Sequence, residues 1–170
     1  NIPVIKSNFK QIFSPQTAYQ MTSILEGVIQ RGTGKRLRDL NLQIAGKTGT
    51  TNNNTDTWFI GFTSNLVVGV FVGYDSPKKL GKYETGSKTA LPIFKDFIKK
   101  AANNYDARPF KISKGIKMMV IDAETGEKAD FGSKKTIIES YKKEKFENQT
   151  FISNDKYKSD IYKKNILKFY

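Results

Sequence analysis

The chain has no cysteine and no histidine in its 170 residues. The first absence excludes disulfides, a thiol nucleophile and thiolate metal sites; the second removes the usual general base and the commonest metal ligand. A Ser-His-Asp triad cannot be built here, and neither a metal nor a cofactor is expected. Long apolar runs are missing too. The longest, Leu66 to Tyr74, is interrupted by Gly69 and Gly73, is far too short to cross a bilayer, and reads as a buried strand. No signal peptide precedes it and the first residue is Asn1 rather than Met, so the chain reads as a piece of something longer.

What is present suffices for one modest core, with 38% hydrophobic and 12% aromatic residues. The net charge of +13 raises the question of an anionic partner. Its distribution answers against a nucleic-acid stripe, with 15 basic and 7 acidic residues before Phe110 and 14 and 9 from there on. A solvated lysine surface is the expectation, and no nucleic-acid role.

Ser14 followed by Pro15 is a helix start, an N-cap serine with proline at the first helical position. Apolar residues then fall at Ala18, Met21, Ile24, Leu25, Val28 and Ile29, predicting an amphipathic helix that ends near Gly32 and packs this stripe under a sheet. Leu42 to Thr51, Thr57 to Thr63 and Leu66 to Tyr74 read as three antiparallel strands joined by a polar loop and a tight turn. The third is nearly all apolar and is expected to be covered on both faces, by the first helix and by a second over Thr89 to Ala102. In that helix Leu91, Ile93, Phe94, Phe97, Ile98 and Ala101 form the expected buried stripe. Beyond it, one strand is expected over Ile116 to Ile121, then a turn to Gly126. The fold class is α+β, an antiparallel sheet flanked by helices. The expected organisation is a connector over 1–13, a helix–meander–helix unit over 14–110, an extended extension over 111–141, and a mobile basic tail over 142–170.

The stretch Ala45-Gly46-Lys47-Thr48-Gly49-Thr50-Thr51 carries the chemistry. Lys-Thr-Gly on a strand is one of three motifs of serine acyl-transfer sites in penicillin-recognising enzymes, although alone it is equally an exposed strand end. The flanks decide. Ser14 to Ser23, Gly27-Val28-Ile29-Gln30-Arg31-Gly32-Thr33-Gly34, Asp56 to Thr63 and Val68 to Asp75 stand in an order and spacing that resembles the C-terminal part of the transpeptidase domain of class A (bifunctional) penicillin-binding proteins, most closely the 1A type. The resemblance runs from about Ser14 to about Glu139. Thr57 replaces the family's usual alanine and Ser64 its usual proline.

The resemblance implies a partial penicillin-binding, beta-lactamase-like fold. It implies that the strand lines a cleft against which substrate lies as an added strand, and that Gly49 permits close approach. Thr50 would give one oxyanion-hole donor through its backbone N–H, Thr48 and Thr50 would receive the substrate carboxylate, and Lys47 would supply positive charge and order the proton-transfer network. A lysine proton shuttle agrees with the missing histidine. Peptidoglycan stem peptides, beta-lactams and the remainder of the transpeptidase domain are the implied partners. A membrane-anchored parent on the periplasmic face of the bacterial inner membrane, carrying a glycosyltransferase domain as well, is the implied setting.

The family's nucleophilic Ser-x-x-Lys and its Ser-x-Asn motif lie N-terminal of Lys-Thr-Gly, so neither is expected in this chain. The strings at Ser7/Lys10, Ser76/Lys79, Ser140/Lys143 and Ser153/Lys156 read as chance in a lysine-rich sequence. Trp58 and Phe59 alternate on one strand, so one of them is core. Lys35, Arg36 and Arg38 are either a cleft rim or a solvated turn, the turn being favoured, and Asp56 is read as a brace for the loop after the motif. Two other readings stand beside the enzyme: a non-catalytic product of a split or decayed gene, and a basic module binding an anionic polymer.

Overall fold

The computed structural model describes residues 10–101 and 108–143. Helix α1 spans Pro15–Gln30, and its start follows the sequence signal: the Thr17 N–H donates to Ser14 Oγ at 3.2 Å and Pro15 occupies the first turn. The chain then folds back on the helix end, with the N–H groups of Gly32 and Gly34 both donating to Val28 O at 3.1 and 3.0 Å. A short 3-10 helix, Lys35–Leu40, leads to β1 (Ala45–Thr50), β2 (Asp56–Phe62) and β3 (Val67–Gly73).

These strands form the expected meander, in the order β1-β2-β3. Lys47 stands opposite Ile60 and Gly69, and Gly49 opposite Trp58 and Phe71. Opposed residues share a face, so Phe59 and Thr57 point one way, Trp58 and Ile60 the other. Phe59 is fully buried and Trp58 is 43% exposed. Helix α2, Ala90–Ala101, lies on the Phe59 face. Phe59 and Phe94 meet edge to face at 4.7 Å, and with Ile29, Leu37, Ile44, Ala90, Leu91 and Ile98 they make the core. Burying each of the large ones, Ala90 excepted, contributes roughly 1.5–3 kcal/mol.

Three packing expectations are corrected. In α1 the residues turned inward are Tyr19, Ser23, Gly27 and Ile29, while Ala18, Met21 and Ile24 face outward. The helix is seated through its more polar side because polar groups from residues 114–142 hold it there. In α2 the buried set is Ala90, Leu91, Phe94 and Ile98; Ile93 and Phe97 flank the contact line and stay half exposed. Strand β3 is covered on one face only, by α2. α1 packs on β1 instead, leaving Val67 and Phe71 open on the far face.

A second sheet follows, the antiparallel hairpin of β4 (Ile116–Asp122) and β5 (Thr136–Lys142). Strand β4 is the one expected over Ile116 to Ile121, whereas β5 lies where only an extended extension is expected. This hairpin is what grips the polar side of α1. Gln16 and Gln20 donate to the carbonyls of Lys114 and Ser140 at 2.8 and 3.0 Å, Lys142 donates to Thr17 Oγ1 at 2.9 Å, and Arg31 pairs with Glu139. The expected tail falls on residues 142–170, of which those from 144 on lie outside the described residues. Among the described residues no helix is long and apolar enough to cross a membrane.

Candidate active site

Strand β1 is an edge strand: β2 pairs with one side, and among the described residues nothing pairs with the other. The phase of its hydrogen bonds determines what that edge presents. Thr51 N–H donates to Asp56 O at 3.1 Å. In an antiparallel ladder bonding residues alternate, so 51, 49, 47 and 45 turn their backbone groups toward β2. Gly46, Thr48 and Thr50 therefore direct theirs to the free edge. The Thr50 N–H is thus an exposed, preset donor.

Lys47 leaves the opposite face from Thr48 and bends around the edge, its Nζ donating to Thr48 O at 2.9 Å and reaching Thr48 Oγ1 at 3.4 Å. Thr48 Oγ1 also lies 2.9 Å from Thr33 Oγ1. Thr50 Oγ1 accepts from the Gly86 N–H at 3.0 Å. An N–H can only donate, so the Thr50 hydroxyl keeps its own proton for another acceptor. The edge accordingly gathers an ammonium, two hydroxyls and a backbone N–H within four consecutive residues. That combination suits an anionic, extended ligand.

Gly49 has two reasons to lack a side chain. A Cβ there would stand 3.2 Å from the Trp58 Cβ, and any bulk would also hinder a strand laid against the edge. After the motif, Thr51 Oγ1 receives the N–H groups of Thr55 and Asp56 at 3.1 and 3.0 Å, while Thr55 Oγ1 donates to Asp56 Oδ2 at 3.0 Å. Asp56 is therefore the brace expected of it. Thr57, buried where the family usually has alanine, uses its extra hydroxyl on Thr89 Oγ1 at 2.6 Å, and Thr89 in turn donates to Thr85 O at 3.0 Å. The loop that carries Thr85 and Gly86 is thereby fastened to the sheet beneath the motif.

Lys35, Arg36 and Arg38 do not join this cluster. With Asp39, Leu91, Pro92 and Lys95 they line an open groove of about 720 Å³, none of whose lining residues belongs to the motif. Asp39 accepts from Lys95 Nζ at 2.6 Å, and this contact holds its carboxyl below the ordinary carboxylate range. Two groups that touch the motif strand, Thr33 and Gly86, lie outside the expected site residues. The close pair of glycines around Thr33 is the one local signal that could have marked it.

The Ser-x-x-Lys strings fail on geometry where the structure describes them. Ser76 and Lys79 lie in an irregular loop. Ser140 is a buried position of β5 and Lys143 lies just past its end. Neither pair has the helical turn that brings a lysine at i+3 beside a serine. Ser7 and Ser153 lie outside the described residues.

The chain is similar over most of its length to known proteins. The penicillin-binding protein 1A of Rickettsia conorii is 42% identical over 156 residues, covering 90% of this chain and 19% of that protein. The penicillin-binding protein 1A of Pseudomonas aeruginosa is 40% identical over 136 residues, covering 79% and 16%. The crystal structure of penicillin-binding protein 1A from Haemophilus influenzae superposes with a TM-score of 0.65 at 30% identity, over 75% of this chain and 20% of that one. The chain thus spans about a fifth of the length of the relatives it matches. The model of the penicillin binding protein transpeptidase domain matches residues 6–99, more than half of the chain, and takes in α1, the meander with its open Lys-Thr-Gly edge, and most of α2. On that match this chain belongs to the penicillin-binding protein transpeptidase family.

Proposed function

We propose that this chain supplies the substrate-holding strand of a peptidoglycan D,D-transpeptidase whose nucleophilic serine lies outside these residues. The observation that carries this reading is the edge of β1 that stays open among the described residues, where Lys47, the hydroxyls of Thr48 and Thr50 and the edge-facing Thr50 N–H converge.

The donor stem peptide lies along that edge as an added strand, its terminal carboxylate on the Thr48 and Thr50 hydroxyls. Its penultimate carbonyl oxygen points at the Thr50 N–H, which is half of the oxyanion hole. The serine attacks that carbonyl, the terminal D-alanine leaves with the proton taken from the serine, and an amine of a neighbouring stem peptide then takes the acyl group from the ester, its proton returning to the serine oxygen. Lys47 favours the anionic ligand and orders the groups that move the proton. Beta-lactams inhibit by occupying the donor position. The parent works on the periplasmic face of the inner membrane, and the outward apolar residues of α1 and of β2 and β3 are where the remainder of the transpeptidase domain packs.

Covalent penicillin labelling tests the reading. The full-length protein is expected to form one stable adduct, and Lys47→Ala to slow its formation at least about tenfold. The 170-residue chain alone is expected to form none by intact mass. An adduct on a serine of this chain overturns the external nucleophile, undiminished labelling of the Lys47 variant overturns that residue's role, and a full-length protein that never labels overturns the function.

A further inference from the structure

Thr33 lies outside the Lys-Thr-Gly motif, yet its Oγ1 is 2.9 Å from Thr48 Oγ1. Its position is closely determined. A Cβ on Gly32 would sit 2.9 Å from the backbone of Val28, and one on Gly34 would sit 2.5 Å from Ile29 Cδ1, so the turn presses against the end of α1, where a side chain at 32 would meet backbone and one at 34 would displace the tip of the buried Ile29. The Gly32 and Gly34 N–H groups, both on Val28 O, lock it there.

Donor and acceptor counting gives the contact a direction. The Lys47 ammonium can only donate, and it reaches Thr48 Oγ1 at 3.4 Å. A hydroxyl has one proton to give. If Thr48 gives it to Thr33, none remains for a ligand; if Thr33 donates to Thr48, the Thr48 proton is free. A carboxylate accepts only, so it selects the second arrangement. Thr50 is held the same way, its oxygen occupied by the Gly86 N–H and its proton left over. Each motif hydroxyl is thus supplied by a group from another segment. Chained donors of this kind polarise one another toward the anion.

We infer that Thr33 is a positioning residue for the substrate carboxylate, donating into Thr48 so that the Thr48 proton faces the anion; the inference rests on the function proposed above. In the full-length protein, rates of covalent labelling by benzylpenicillin and by its methyl ester, which lacks the carboxylate, separate this role from a structural one. Thr33→Val is expected to slow labelling by the free acid on the order of tenfold and leave the ester within about twofold. Thr33→Ser restores the rate, and Thr33→Val adds nothing to Thr48→Val. Equal loss with acid and ester, or no loss with either, overturns the role of Thr33 while leaving the transpeptidase reading intact. An unaltered protein that labels with neither overturns both.

Discussion

The Gly86 N–H and the Thr50 hydroxyl, 3.0 Å apart, join the loop before α2 to the motif strand across 36 residues of sequence. The approach is closer than any side chain permits. A Cβ on Gly86 would lie 2.5 Å from Trp58 O and 2.7 Å from Gly49 O, both rigid backbone atoms of a paired ladder. Gly86→Ala is therefore expected to destabilise the domain by about 2–3 kcal/mol and to pull the donor off Thr50. Thermal unfolding reads the first effect. The second appears as slower penicillin labelling at temperatures where the variant remains folded. A variant as stable as the unaltered protein contradicts the packing described.

Adjacent aromatic residues on β2 give opposite expectations. Phe59→Ala empties the centre of the core beside Phe94 and is expected to cost about 3–5 kcal/mol. Trp58, on the open face, loses its contact with Phe71 at 4.8 Å, and its replacement by alanine costs about 1 kcal/mol. Chemical denaturation of the two variants checks the order. A reversed order places the wrong face of the sheet against α2.

Burial pushes the Glu26 carboxyl of α1 from an ordinary value of 4.5 up to about 7. Between those two values the unfolded chain releases a proton that the folded chain retains, so stability falls as pH rises from about 4.5 to about 7 and then levels off. With no histidine in the chain, no other side chain has an ordinary pKa between pH 5 and 8. Glu26→Gln is expected to remove the slope and to gain on the order of 1–2 kcal/mol at pH 8, allowing for the group's partial exposure. Melting temperatures from pH 4.5 to 8 measure this, and a flat profile for the unaltered protein contradicts it.

Local signals in the sequence carry far. Ser14-Pro15 places the start of α1, and alternation along 56–62 separates Phe59 from Trp58. The motif and its flanks point to the transpeptidase family, and the motif lies on β1 at the edge of the sheet. Relationships that depend on distant segments are not legible in the same way. Nothing near Met21 or Ile24 shows that α1 is seated through Gln16 and Gln20, because the groups that accept from them lie 98 and 120 residues away. Strand β5 is present in the β-branched run Thr136-Ile137-Ile138, but the lysines around it dilute the pattern. Thr33 and Gly86 carry no chemistry of their own in sequence. They acquire it only when the fold brings them to Thr48 and Thr50.

The grip of the β4–β5 hairpin on α1 gives the polypeptide a late closing step. Lys142 meets Thr17 across 125 residues, and Ser113 reaches Pro15 across 98. Contacts of such separation form slowly, since a long loop must close before they contribute. On the ribosome α1 emerges long before the hairpin that clasps it, and the meander is complete in between. The helix that positions Thr33 is accordingly held by one face while the chain is being made, and is fixed on the other only after the whole hairpin has been made and has emerged.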